Sequence, residues 1–341
     1  MGRSTVYNNI TSPEKIKAIN PENLGLMNDF IEYLQSIGRA ESTIKNYKAD
    51  LLVFFCWCED TLNNKSFVEL TKREISRFQN HALTEWGWSS NRLRTVKAAL
   101  SSLSNFIENI LDDEFEGYKP IVRKIENPPK SMAREKTVLS EEEVEKLLST
   151  FVERGEYDKA CLFALAAYSG RRKSELCRFR VSDVTEDKLV CNGAFYKTAP
   201  IKTKGRGVNG KLLCCYVLAK RFRPYLQLWM EERKRLGIES EWLFPNKSDP
   251  SLQMNTCTID SWVNTASRIL DRQVYAHTLR HFFSTLLARS GIPDSVITAI
   301  VGWESSDLCK IYVDIEADEQ IGMYFDENGE ITAPTGGLSN L

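Results

Sequence analysis

Three short segments of this 341-residue chain hold side chains able to act on a phosphate ester. They are Gly170-Arg171-Arg172-Lys173-Ser174-Glu175-Leu176, then His277-Thr278-Leu279-Arg280-His281, then Gly302-Trp303, followed nine residues later by Tyr312. A guanidinium presents a planar fork of N–H donors that fits phosphate oxygens, and an imidazole exchanges a proton near neutral pH. A phenol, with a pKa of about 10, is a poor nucleophile unless its surroundings are positive and a proton acceptor stands beside it. Taken singly, each segment has an ordinary structural explanation. An arginine opening a helix is usually on the surface, a lone histidine is usually a satisfied structural group, and a helical tyrosine is usually packing.

Other chemistries find less support. Gly205-Arg206-Gly207-Val208-Asn209-Gly210 has the form of a dinucleotide-binding G-x-G-x-x-G, but the apolar run 211–217 follows it where that fingerprint needs a helix. Its glycines are expected to build a hairpin turn instead. The nine cysteines are scattered, and the three histidines, His81, His277 and His281, are accompanied by no Cys-x-x-Cys pair. That spacing argues against a structural zinc site and fits a reducing compartment. Neither a carboxylate cluster for Mg²⁺ nor a Walker loop is present in the sequence.

The elements that must position the three segments fall into two groups. Residues 1–21, polar and interrupted by Pro13 and Pro21, read as a short, poorly ordered arm. Leu26, Phe30, Ile31 and Leu34 then recur along one helix face, and Ser42 or Thr43 caps a second helix carrying Ile44, Tyr47, Leu51, Leu52 and Phe55. A third helix spans 71–83, and Ser89 and Ser90 cap a fourth with Leu93, Val96, Leu100, Leu103 and Ile107 on its apolar face. These predict a compact four-helix domain over 22–115. Asn91, Arg92, Arg94 and Lys97, in the first turns of the fourth helix, suit a phosphate backbone, the alternative being a solvated face.

From 116 to 137, Pro120, Pro128 and Pro129 stand among six basic residues including Lys130, which reads as a basic linker able to lie along DNA. Ser140 with Glu143 forms a capping box that opens a second domain over 138–317. Helices near 159–168 and 174–178 lead there to strands at 189–191 and 194–196 around an Asn192-Gly193 turn, then to a strand at 212–217. Helices follow at 221–236, 259–271, 278–290 and 295–301. The fold class expected is α+β, mostly α with one small antiparallel sheet.

Taken together, the order Arg…Lys…His-x-x-Arg…Trp…Tyr resembles the catalytic set of the tyrosine recombinase family, which includes phage and transposon integrases and the bacterial chromosome-dimer resolvases. The resemblance covers nearly the whole chain and implies a SAM-like core-binding domain followed by the family's catalytic domain. The family's Gly-x-Arg-x-Ser-Glu-Leu context places its first arginine on Arg172 and leaves Arg171 as a neighbour. The second motif falls on His277 and Arg280, with His281 just after. Trp303 stands where members usually have histidine, and its indole N–H can still donate to phosphate. The nucleophile falls on Tyr312. The hairpin lysine that protonates the leaving 5′-oxygen falls on Lys204, with Lys202 as the alternative, and Arg206 on the same loop joins the expected DNA contacts. Glu175 matches the family's acidic position and is expected to orient its neighbours.

The resemblance thus implies an enzyme in which Arg172 and Arg280 clamp a DNA phosphate, His277 takes the phenol proton, and a 3′-phosphotyrosyl link conserves the bond energy. No metal, nucleotide or other cofactor is implied. The implied partners are double-stranded DNA and further copies of the chain, as a homotetramer on paired sites, with room for accessory DNA-bending or directionality proteins. The alternatives are a type IB topoisomerase, which reseals the same strand, and a catalytically inactive DNA-binding relative. The two-domain layout and basic linker favour recombination, and the filled catalytic positions disfavour an inactive relative.

The formal net charge of −1 hides an uneven distribution. Between 197 and 235 there are eleven Lys or Arg and two acids, whereas 313–341 holds seven acids and no basic residue, so the body without them carries +6. The acidic tail 318–341 is expected to be exchanged between subunits. No apolar run approaches the roughly 18 residues that span a bilayer, and the N-terminus lacks a secretory pattern. The expected location is the bacterial cytoplasm and nucleoid, with no membrane partner.

Overall fold

The computed structural model describes residues 10–129, 138–203, 211–303 and 305. Internal contacts divide the described residues into an N-terminal unit, 10–129, and a C-terminal unit, 138–305. The acidic tail lies outside the described residues.

Prolines open two helices of the N-terminal unit, Pro13–Ala18 and Pro21–Ser36. A helix cannot pair the first N–H groups of its opening turn, so proline sacrifices nothing there. The side chains of Ser12 and Asn20 accept from the amides of Lys15 and Glu22 at 3.2 and 2.9 Å. Residues 10–21 are therefore not the poorly ordered arm expected from their polarity: Ile10 and Ile19 are buried, Ile19 in the main cluster.

Helices Glu41–Thr61, Lys72–Thr84 and Ser90–Ile110 complete the bundle. Ser89 caps the last, as expected, and Thr71 caps the one before it, but neither Ser42 nor Thr43 caps the first. That helix begins two or three residues sooner, behind Ala40, whose carbonyl accepts from the amides of Thr43 and Ile44 at 2.8 and 3.1 Å. The core is aromatic: Phe54 meets Phe78 edge to face at 4.9 Å, with Phe55 and Trp57 buried alongside.

The chain beyond this bundle does not leave it at 116. Val122, in the one-turn helix Val122–Lys124, is buried in the same cluster. Lys97 Nζ donates to the carbonyls of Ile125 and Glu126 at 2.9 and 3.2 Å, and Arg94 holds the Pro128 carbonyl through Nε and Nη2 at 3.1 and 2.7 Å. The part of the expected linker up to Pro128 is thus fastened to the helical unit.

In the C-terminal unit, helix Tyr157–Ser169 is buried continuously from Ala160 onward. Its sequence has no polar face, as a helix enclosed on all sides requires. Glu141–Glu153, Ala219–Arg235 and Ala276–Arg289 pack around it. The expected capping box at Ser140 is formed: Ser140 Oγ accepts from the Glu143 amide at 3.2 Å, and the Glu143 carboxylate accepts from the Ser140 amide at 2.9 Å. Thr256–Ile269, Asp294–Val301 and the single turn Lys173–Leu176 are the remaining α-helices among the described residues.

Two small antiparallel sheets are present where one was expected. Strands β1 (Leu189–Val190), β2 (Phe195–Lys197) and β5 (Tyr216–Leu218) form one in the order β1-β2-β5; β3 (Ile201–Thr203) and β4 (Lys211–Leu213) form the other. The single strand expected at 212–217 is split at Cys214 and Cys215, so that its first half pairs with β3 and its second with β2. Asn192 and Gly193 occupy the centre of their turn with φ of 56° and 84°, and the Ala194 amide donates to the Cys191 carbonyl at 3.1 Å. Cys191 is itself left-handed, φ 53°, which removes it from the strand and starts the pairing at Val190 and Phe195.

Candidate active site

Gly170 ends the buried helix with φ +60°, and a Cβ there would lie 2.6 Å from Phe283 Cδ1, so only glycine fits. The chain then reverses into Arg171 and Arg172 and enters the Lys173–Leu176 turn. Glu175, 1% exposed, accepts from the Arg172 amide at 3.1 Å and from Arg172 Nη1 at 3.0 Å. The Arg172 side chain is held at its base and tip by one buried carboxylate while about a third of its surface, 33%, stays open to solvent.

His277 and Arg280 lie three residues apart on helix Ala276–Arg289, a spacing that puts them on one face. Arg280 is 1% exposed and donates through Nη1 to the Gly170 carbonyl at 2.8 Å and through Nη2 to the Val301 carbonyl at 3.5 Å. Those two bonds engage two of the five N–H donors of a guanidinium. Val301 ends the Asp294–Val301 helix, whose C-terminal carbonyls favour a positive charge. Gly302 follows with φ +71°, and the buried indole of Trp303 then lies with its centroid 5.7 Å from the Arg280 guanidinium carbon. Segments separated by more than a hundred residues in sequence thereby meet at one arginine.

His277 has an exposed surface, yet its pKa lies below the ordinary 6.5. Partial loss of water around the ring is the largest cause, followed by the positive fields of Arg280, His281 and Arg172, with Glu175 opposing them. The ring is therefore neutral at neutral pH and able to accept a proton, and it stands within the fields of the other charged members of the set. His281 is partly buried one residue beyond Arg280.

On β3, Lys202 takes the solvent-facing position between buried Ile201 and Thr203, and its carbonyl accepts from Arg178 Nη1. This strand lies against the Lys173–Leu176 turn, so the base of the hairpin adjoins the arginine segment. Tyr312, Lys204, Arg206 and Lys130 lie outside the described residues.

Of the expected DNA contacts on helix Ser90–Ile110, one, Lys97, needs correction. Lys97 is 3% exposed and bonded to Gln79 Oε1 at 2.8 Å as well as to two backbone carbonyls, so it braces the unit rather than facing solvent. Its apolar neighbours Val96 and Leu100 place it beside the buried face, which a reading of charge alone overlooked. Arg94 is tied to Pro128, while Arg92 pairs with Asp50 at 2.6 Å and stacks over Trp88 at 4.9 Å. Asn91 is partly buried in the opening turn.

Sequence reasoning left Arg171 as a neighbour of Arg172 with no role of its own; it is 2% exposed and donates through Nη2 to the Ile300 carbonyl. The signal was a second arginine where the motif needs one. Among the described residues no group of three or more His, Cys, Asp or Glu is placed to hold a metal ion, and no helix is long and apolar enough to cross a membrane.

The phage integrase N-terminal SAM-like domain matches residues 26–116. The SPbeta prophage-derived recombinase-like protein YomM of Bacillus subtilis (strain 168) is 28% identical over 255 residues, spanning 73% of this chain and 74% of its own. A tyrosine recombinase of Thermosipho africanus (strain TCF52B) is 25% identical over 296 residues, spanning 85% and 95%. The fold is similar to that of a lambda integrase tetramer bound to a Holliday junction, with a TM-score of 0.62 at 14% identity, covering 85% of this chain and 76% of that one. Because the phage integrase family model itself matches residues 137–319, more than half of the sequence, this chain belongs to the phage integrase family.

Proposed function

We propose that the chain is a site-specific DNA recombinase in which Tyr312 cuts and rejoins strands through a 3′-phosphotyrosyl intermediate, without metal or ATP. The observation that carries this reading is the bond from Arg280 to the Gly170 carbonyl, which joins the two arginine segments beside His277 and Trp303.

The Tyr312 oxygen attacks the phosphorus and forms a P–O bond as the bond to the 5′-oxygen breaks. Negative charge gathers on the non-bridging oxygens, where Arg172 and Arg280 supply donors and Trp303 a further N–H. Neutral His277 accepts the phenol proton. The leaving 5′-oxygen takes a proton from Lys204, or from Lys202 in the alternative assignment. A 5′-hydroxyl from a second strand then reverses these steps and restores the phenol. Glu175 keeps Arg172 in place, as its two bonds to that residue support. The tetrameric assembly named for the lambda integrase relative supports a homotetramer on paired sites here.

The test is strand exchange between two differently labelled duplexes drawn from a library of candidate sites. Recombinant product with the unaltered protein and none with Tyr312→Phe is expected. Product that survives Tyr312→Phe would reject the mechanism.

A further inference from the structure

Arg171 has no part in the chemistry just described, yet burying its charge is costly unless something holds it. Its guanidinium, 2% exposed, donates through Nη2 to the Ile300 carbonyl at the C-terminal end of helix Asp294–Val301, and no carboxylate among the described residues pairs with it. Its Nε is buried without a hydrogen-bond partner among those residues. A Cβ on Gly302 would meet Arg171 Nη1 at 3.0 Å and Leu213 Cδ1 of β4 at 3.4 Å. The thiol of Cys215, just past β4, feels the Arg171 charge. One buried cation thus lies where the Arg172 turn, the β3–β4 hairpin and the Gly302–Trp303 corner come together.

We propose that Arg171 is a positioning residue that fixes the Gly302–Trp303 corner against the arginine turn and the hairpin, and so sets where the segment leading to Tyr312 begins. It acts through Ile300 and Gly302 and touches no reacting atom. The inference rests on the reading of Tyr312 as nucleophile. Backbone donors alone end most helices adequately, whereas a planar fork wedged beneath a left-handed glycine fixes both the carbonyl and the direction of the chain that follows it.

The test measures covalent adduct formation on nicked DNA at saturating protein, beside DNA affinity and thermal melting, for Arg171→Met, Arg171→Lys and Gly302→Ala. Arg171→Met keeps the volume and removes a buried charge, so it is expected to fold and to bind DNA with unaltered affinity. Its adduct should form about 10- to 100-fold more slowly, the scale of a small misplacement of reacting groups. Arg171→Lys, still able to donate to Ile300, should recover part of the rate. Gly302→Ala should slow the unaltered protein and add less than its full effect to Arg171→Met, because the 3.0 Å contact is then gone. If Arg171→Met fails to fold, the lysine and alanine variants decide the matter in the same assay.

A wild-type rate in Arg171→Met, or affinity and rate falling together with no recovery by lysine, would overturn the inference. If the unaltered protein forms no adduct, the Tyr312 reading fails and this inference falls with it.

Discussion

Replacing Arg280 by lysine separates what that residue does for the fold from what it does for the reaction. The guanidinium spans two carbonyls, Gly170 at 2.8 Å and Val301 at 3.5 Å, whereas an ammonium is a single point of charge and can serve only one of them well. Because Arg280 is 1% exposed, the abandoned carbonyl finds no water in exchange. Losing one charge-assisted bond of this kind costs about 1.5–3 kcal/mol. At roughly 2–4 °C per kcal/mol for a domain of this size, melting should fall by about 3–12 °C. Loss of the forked donor at the phosphate should separately slow adduct formation by about 10²–10³-fold, the usual effect of removing one preorganised donor. Calorimetry reads the first effect and single-turnover adduct formation at saturating protein, well below the melting temperature, reads the second. An unchanged melting temperature would refute the bracing role, and an unchanged rate would refute the clamp.

Further outcomes follow from the same geometry. Since the His277 pKa is held below 6.5, adduct formation should stay level through neutral pH and decline only as pH falls below 6.5; a midpoint above 6.5 in a pH–rate profile would contradict it. The sign for stability is the same: the neutral ring is favoured in the fold, so this contribution is complete above 6.5 and is lost as pH falls through the lowered folded value. Gly170→Ala places a side chain at φ +60° against Phe283 and should destabilise the catalytic unit by about 1–3 kcal/mol in urea unfolding, whereas an unchanged midpoint would show that the turn relaxes freely. Lys97→Met strips its three acceptors of their donor and should cost about 1.5–3 kcal/mol of stability. The salt dependence of DNA binding should not change for that variant, whereas a slope reduced by about one would return Lys97 to the phosphate contacts.

Local signals in the sequence proved dependable where the physics is local. Ser140 with Glu143, Thr71 and Ser89 mark helix starts because the partners that satisfy them are three residues away. The order of the three chemical segments was also legible, since residue type and order carry it. What could not be read depends on distant partners. Pro13 and Pro21 look like interruptions until the helices they begin are seen packing Ile19 into a core. Lys97 looks like a surface cation until residues 125 and 126 fold back onto it. The apolar run 211–217 looks like one strand until two different partners, β3 and β2, claim its halves. Likewise, nothing near Arg280 in sequence announces that it binds Gly170, 110 residues earlier.

The most direct test of the central claim is to trap the protein on nicked DNA, digest the adduct with protease and nuclease, and identify by mass spectrometry which residue carries nucleotide and through which end. A peptide bearing a 3′-linked nucleotide on Tyr312, absent from Tyr312→Phe, is the expected result. A 5′ linkage, or attachment at another residue such as Tyr324, would contradict the account.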